Sequence, residues 1–180
     1  MKRAVLLSIA IGLVLAGSVS AQLYFGVKTG MMMIDVEGID NIIPIGVMGG
    51  HEIFPNASIE GEFNYRITGG DWDYGIPGIT DTFEWKIWTL GGYFVYRYPL
   101  NESLYLKGKA GILYENVTAE VTYDIPGVGT MTYDASGTDT GLSVGGGLGM
   151  NFNERFGGEV EFTLIEADVT YLSVGVHIIP

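Results

Sequence analysis

The sequence predicts an all-β chain, an eight-stranded antiparallel up-and-down transmembrane β-barrel preceded by a cleavable signal peptide. Three observations predict it. Segments of period two dominate after the first 21 residues, the composition is poor in charge and rich in glycine and aromatics, and the connections alternate between long and short.

The domain division follows from the N-terminus. Met1-Lys2-Arg3 is a basic start, Ala4 to Ala16 an apolar run, and Val19-Ser20-Ala21 a small-residue cleavage site. At about 13 residues the run is short of the roughly 20 that a membrane helix needs. Residues 1–21 are therefore expected to be a signal peptide and residues 22–180 the barrel domain. Losing Lys2 and Arg3 leaves seven Lys and Arg against 21 Asp and Glu, a net charge of −14. So acidic a chain repels phosphate backbones, which excludes nucleic acid as a partner. There is no Cys, so lipoprotein anchoring, disulfides and thiolate chemistry are excluded. Charged residues make up 17% of the chain against a usual share of about 25%, beside 28 glycines.

Eight strands are read in order at 22–34, 41–54, 58–68, 83–98, 103–122, 139–152, 155–165 and 168–179. Three connections are tight: Pro55-Asn56-Ala57, Pro99-Leu100-Asn101-Glu102 and Asn153-Glu154. Between them lie the stretches 35–40, 69–82 and 123–139 and the shorter Glu166-Ala167-Asp168, mostly acidic. In a meander, alternate turns share an end. One end thus carries tight turns and both termini, the other the acidic loops.

Period two does not say which face is inside, because a soluble barrel and a membrane barrel alternate alike. The residue types break the tie. In the sixth segment Leu142, Val144, Leu148 and Met150 oppose Gly141, Ser143, Gly145, Gly147 and Gly149, too bare for a wall facing water. In the third, Ile59, Phe63, Tyr65 and Ile67 oppose Glu60, Glu62, Asn64 and Arg66. The few cations lie within strands rather than loops. Left toward lipid, each would cost roughly 2–4 kcal/mol at mid-bilayer. A lumen charge network is therefore expected from Lys28, Glu60, Glu62, Arg66, Lys86, Arg97, Lys107, Lys109, Glu159 and Glu161. Two aromatic girdles are expected at the bilayer interfaces. Phe54, Tyr98, Phe152 and Phe156 form one beside the tight turns, and Tyr65, Trp88, Tyr114 and Tyr171 the other toward the loops.

With its leader, its alternating connections and its glycine-spaced aromatic strands, the mature chain resembles the small outer-membrane β-barrel proteins, the OmpA/OmpX/Opa-like group. The likeness is architectural and includes no catalytic motif. Members commonly end in an aromatic residue, whereas this sequence closes on His177-Ile178-Ile179-Pro180. The resemblance implies a monomer in the outer membrane of a Gram-negative bacterium, exported through the Sec pathway. Its partners would be outer-membrane lipid and lipopolysaccharide, with an external ligand met through the loops.

The residues offer little for catalysis. His51 and His177 are the only histidines, neither stands in a Ser-His arrangement, and both are expected at the membrane interface. Asp71-Trp72-Asp73-Tyr74-Gly75 opens like a calcium loop but lacks the later ligands. Glu60/Glu62 and Glu159/Glu161 have the look of paired glycosidase carboxylates, though nearby Lys and Arg favour ion pairing. The expectation is a non-enzymatic barrel with no cofactor or metal. The alternatives are a soluble periplasmic barrel holding an apolar ligand and a barrel enzyme acting on lipid A.

Overall fold

The computed structural model describes residues 22–34, 41–68, 71–72, 80–125, 129–166 and 169–180; the leader, the 35–40 loop and most of the calcium-like stretch lie outside them. Nine strands occur among these: β1 (Leu23–Ile34), β2 (Ile43–Phe54), β3 (Ala57–Thr68), β4 (Asp71–Trp72), β5 (Thr80–Pro99), β6 (Leu104–Ile125), β7 (Gly129–Asn151), β8 (Phe156–Glu166) and β9 (Val169–Ile178). Neighbours in sequence pair antiparallel except β3 and β4, β1 pairs β9, and β3 pairs β5 past the two-residue β4. Eight strands thus close into a barrel, leaving no edge within the wall.

The tight turns show why their sequences are turns. Pro55 presets its own φ, and Asn56 takes a φ of 66°, a region asparagine tolerates better than most residues. Asn101 Oδ1 accepts the backbone N–H of Ser103 and of Leu104, each at 2.9 Å. Asn153 Oδ1 does the same for Arg155 at 2.8 Å and Phe156 at 2.9 Å. Both side chains stand in for a backbone turn.

The opposite end departs from expectation. The 123–139 stretch is largely strand, because β6 and β7 stay paired from Leu104↔Met150 to Ile125↔Gly129. Alternating Thr, Val and Tyr suit a pleated ribbon, and the hydroxyls of Thr122 and Thr132 meet across it at 3.3 Å. Thr80, expected in a loop, likewise opens β5. β8 pairs β7 only as far as Val144↔Leu164, so residues 129–143 of β7 have no strand on that side among the described residues. One side of the barrel therefore rises above the other.

Faces follow strict parity. Val27, Phe63, Leu90, Leu106, Leu148, Val160 and Val174 point outward and are exposed, while Glu60, Glu62, Lys107 and Glu161 point inward and are buried. Soluble monomers rarely expose a continuous apolar belt of this extent. The outward surface is the solvent-averse one, as a bilayer requires. The soluble alternative, with its apolar interior and polar wall, does not describe this molecule.

Candidate functional site

The lumen is filled in three tiers, each set by consecutive inward positions on the strands. Nearest the tight turns are aromatic and polar groups. Tyr24 lies over Gly50 and Tyr105 over Gly149, their cross-strand partners. A Cβ at either glycine would fall 2.0–2.1 Å from the ring, so only glycine admits these rings. Arg97 spans them, its guanidinium carbon 4.5 Å from the Tyr24 ring centre and 5.8 Å from that of Tyr105.

The middle tier is ionic. Lys107 Nζ donates to Glu159 at 2.7 Å and Glu60 at 3.0 Å, and lies 2.9 Å from Glu161 Oε2. Lys109 Nζ reaches Glu62 and Glu161, each at 2.6 Å. Lys28 pairs with Glu62 and stands 3.6 Å from Glu161. Arg97 joins Glu60 at 3.2 Å and Ser58 at 2.8 Å. Hydroxyls complete the shell: Tyr24 donates to Glu60 at 2.6 Å and Thr163 to Glu161 at 2.9 Å. Four cations thus meet four carboxylates, a neutral set. In a dry interior, Coulomb attraction offsets desolvation only when partners are this close and the remaining lone pairs are bonded. Glu60, Glu62 and Glu161 approach within 4.8 Å of one another, a spacing that could suit a metal ion. The Lys107 and Lys109 ammoniums already bridge these carboxylates, so a divalent ion does not fit.

The third tier, toward the loops, is apolar: Met32, Ile42, Ile87, Leu113, Ile165 and Tyr171 pack together, with Ile34, Val117 and Val169 against them. The sequence reading missed this layer. The signal was present in the strand period. Lys28, Lys109 and Glu161 are each followed four residues later, on the same face, by Met32, Leu113 and Ile165.

The structure brings Lys28, Glu60, Glu62, Arg97, Lys107, Lys109, Glu159 and Glu161 together, and places Arg66 inward, half-buried, nearer the loops. Lys86 is a correction. On β5 the inward positions are odd-numbered, so Lys86 faces outward on the raised sheet and pairs with Glu120 at 2.8 Å. Tyr171 is a second, since odd positions of β9 point inward and its ring is 1% exposed inside the apolar tier. Phe54, Tyr65, Tyr98, Tyr114, Phe152 and Phe156 are exposed on the outer wall. Trp88 is half-buried there, its ring 5.4 Å from Tyr114 and 6.1 Å from Phe63. His177, expected at an interface, is buried inside the lumen beside Tyr24 because its strand parity turns it inward. His51 pairs with Leu23 and Ile59 on the outward parity, so the two histidines lie on opposite faces of the wall.

Comparison with known proteins agrees with this architecture. No curated protein matches the sequence. Among solved structures the chain is similar to the attachment invasion locus protein Ail of Yersinia pestis, at 16% identity and a TM-score of 0.51 over 88% of this chain and 95% of Ail. It is similar to the N-terminal β-barrel domain of Pseudomonas aeruginosa OprF, at 12% identity and 0.57 over 89% and 100%. It is also similar to neisserial surface protein A, at 12% and 0.56 over 88% and 96%. At such identities the likeness is one of fold. A family-level match covers residues 4–177. The chain is a member of the outer membrane protein β-barrel domain family.

Proposed function

We propose that this outer-membrane barrel is a plugged anchor that meets the outside through its raised acidic sheet, with no catalytic role. The observation that carries this reading is the filled lumen: a buried ionic tier is backed by a buried apolar one across the barrel centre. Eight strands leave space only for side chains in any case.

The raised sheet supports the contact role. Asp71, Glu84, Glu120 and Asp134 stand directly opposite one another in register across β4 to β7. Lys86 offsets Glu120, and these positions still hold more acidic than basic residues, which favours a partner bearing positive charge. Ail has been solved in complex with the heparin analogue sucrose octasulfate. A small barrel can thus hold an external ligand, but the acidic row here disfavours a sulfated one. Residues 1–21 serve as the exported leader in this reading, the outer belt meets lipid and lipopolysaccharide, and the barrel works as a monomer.

The test is direct. In planar bilayers the purified protein gives no large stable conductance. In nanodiscs it binds polylysine, weakening as salt rises, and does not bind heparin. Stable large conductance would refute the plug, and heparin binding stronger than polylysine binding would refute the acidic contact surface.

A further inference from the structure

The raised sheet has two edges, and among the described residues they differ. The β5 edge carries β4, which pairs Asp71 with Glu84 and Trp72 with Phe83. On the β7 edge, pairing with β8 stops at Val144↔Leu164, and no described strand lies beside Thr130 to Leu142. The hydrogen bonds lower on β7 show what this edge offers. Asn151 donates its backbone N–H toward β6, to Ser103 O, and Phe152 donates toward β8, to Phe156 O. The β6–β7 register runs without a shift from Leu104↔Met150 to Ile125↔Gly129. Odd residues of β7 therefore bond β6 throughout, and even residues turn their N–H and C=O to the open side. Thr140 is the exception, its N–H taken by Asp139 Oδ1 at 2.6 Å. Open edges are usually blunted by Pro, Lys or a bulge. Residues 129–143 contain no Pro, no Lys and no register shift.

Above the rim the sheet also reverses its polarity. In the wall the even positions of β6 and β7 are apolar, as at Leu106, Ile112 and Leu148. Higher up the even positions are Thr118, Glu120, Thr122, Thr132, Asp134 and Ser136, and the odd ones include Val117, Met131 and Tyr133. Met131 is 45% exposed and Tyr133 62%. A strand added here would alternate accordingly, apolar residues beside Met131 and Tyr133, hydroxyl or cationic ones beside Asp134. Charge selects its source. Lys86 is the one cation among residues 80–88, 115–125 and 129–143, against seven Asp and Glu. A second copy, from a chain of net charge −12, would set acid against acid. Resting on the contact role of the raised sheet, we propose that the β7 edge takes up an extended cationic segment of another protein as an added strand over Thr130 to Thr138.

The experiment is amide hydrogen exchange, read by NMR, on the full mature chain in nanodiscs. The probe is the peptide Lys-Val-Thr-Val-Lys-Val-Thr, and the comparator is the same peptide N-methylated throughout, equal in charge but unable to donate backbone hydrogen bonds. The probe slows the Thr132, Asp134 and Ser136 amides at least about tenfold. Tyr133 and Ala135, already bonded to β6, change little, and the comparator protects none of them. Ser136→Pro removes an N–H from the open side and none from the β6 ladder. It lowers probe affinity at least about tenfold, one decade in the equilibrium constant, and leaves polylysine binding in place. Heat-dependent gel migration verifies that the variant is folded. Equal binding of the methylated peptide, or unchanged probe affinity in folded Ser136→Pro, would overturn strand addition while the acidic contact surface stood. Protection of the same amides without peptide, rising with protein concentration, would overturn it in favour of a second copy. Failure of the parent to bind polylysine would remove the contact surface itself, and the proposal with it.

Discussion

The middle and loop-end tiers of the lumen are lined by the same strands at the same pitch, yet one is packed with charge and the other with hydrocarbon. Lys28 and Met32 differ by two inward steps on β1, Lys109 and Leu113 by two on β6, and Glu161 and Ile165 by two on β8. The contrast teaches that a narrow barrel can be filled in two ways with different failure modes. The ionic tier depends on every partner being present, because a lone buried charge has no water to fall back on. The apolar tier depends on volume alone, and it tolerates change in proportion to the space lost.

Removing the central cation should separate the tiers most sharply. Lys107→Met leaves Glu60 and Glu159 without their shared ammonium and should destabilise the barrel by about 3–5 kcal/mol in urea unfolding from lipid vesicles. Removing Lys109 and Glu62 together, by Lys109→Met with Glu62→Met, should cost less than the two single changes added. Coupling of about 0.5–3 kcal/mol is expected in that cycle, and additivity would mean the ion pair contributes nothing specific.

In the apolar tier, Leu113→Ala should cost about 2–4 kcal/mol by the same assay. The loss should be insensitive to a partner's identity, unlike the ionic changes. A smaller effect follows at the tight-turn mouth, where Gly50→Ala pushes a methyl into the Tyr24 ring. About 1–3 kcal/mol is expected there, with near-ultraviolet circular dichroism reporting the displaced tyrosine. At the bottom of the scale, Thr122→Ala on the raised ribbon touches only an exposed hydroxyl pair. Its unfolding midpoint should stay within about 0.5 kcal/mol of the parent.

Much of this was legible in the sequence. The face assignment could be read because Glu60/Glu62 and Ile59/Phe63 leave no ambiguity about parity once a bare glycine face rules out an outer wall. The turns could be read because Asn56, Asn101 and Asn153 stand where the backbone needs a positive φ or a side-chain acceptor. What escaped depended on counting further along each strand. Tyr171 and Lys86 were assigned by residue type rather than by the inward parity of β9 and β5, and parity places each on the other face. The 123–139 stretch read as a loop because Pro126, Gly127 and Gly129 dominate its composition. Its flanking Thr, Val and Tyr residues nevertheless extend the ladder to Ile125↔Gly129. His177 escaped for the same reason as Tyr171, because it shares the inward odd parity of β9 opposite Leu172, Val174, Val176 and Ile178.

The distribution of the eight network charges bears on how the barrel assembles. The β5–β6 hairpin carries Arg97, Lys107 and Lys109, whereas the carboxylates sit on β3 and β8. A hairpin entering hydrocarbon by itself would drag a surplus of one sign with it. Neutrality arrives only when strands far apart in the chain come round to face one another. Insertion by single hairpins is therefore disfavoured, and the ring has to be nearly complete, still holding water, before its centre can dry.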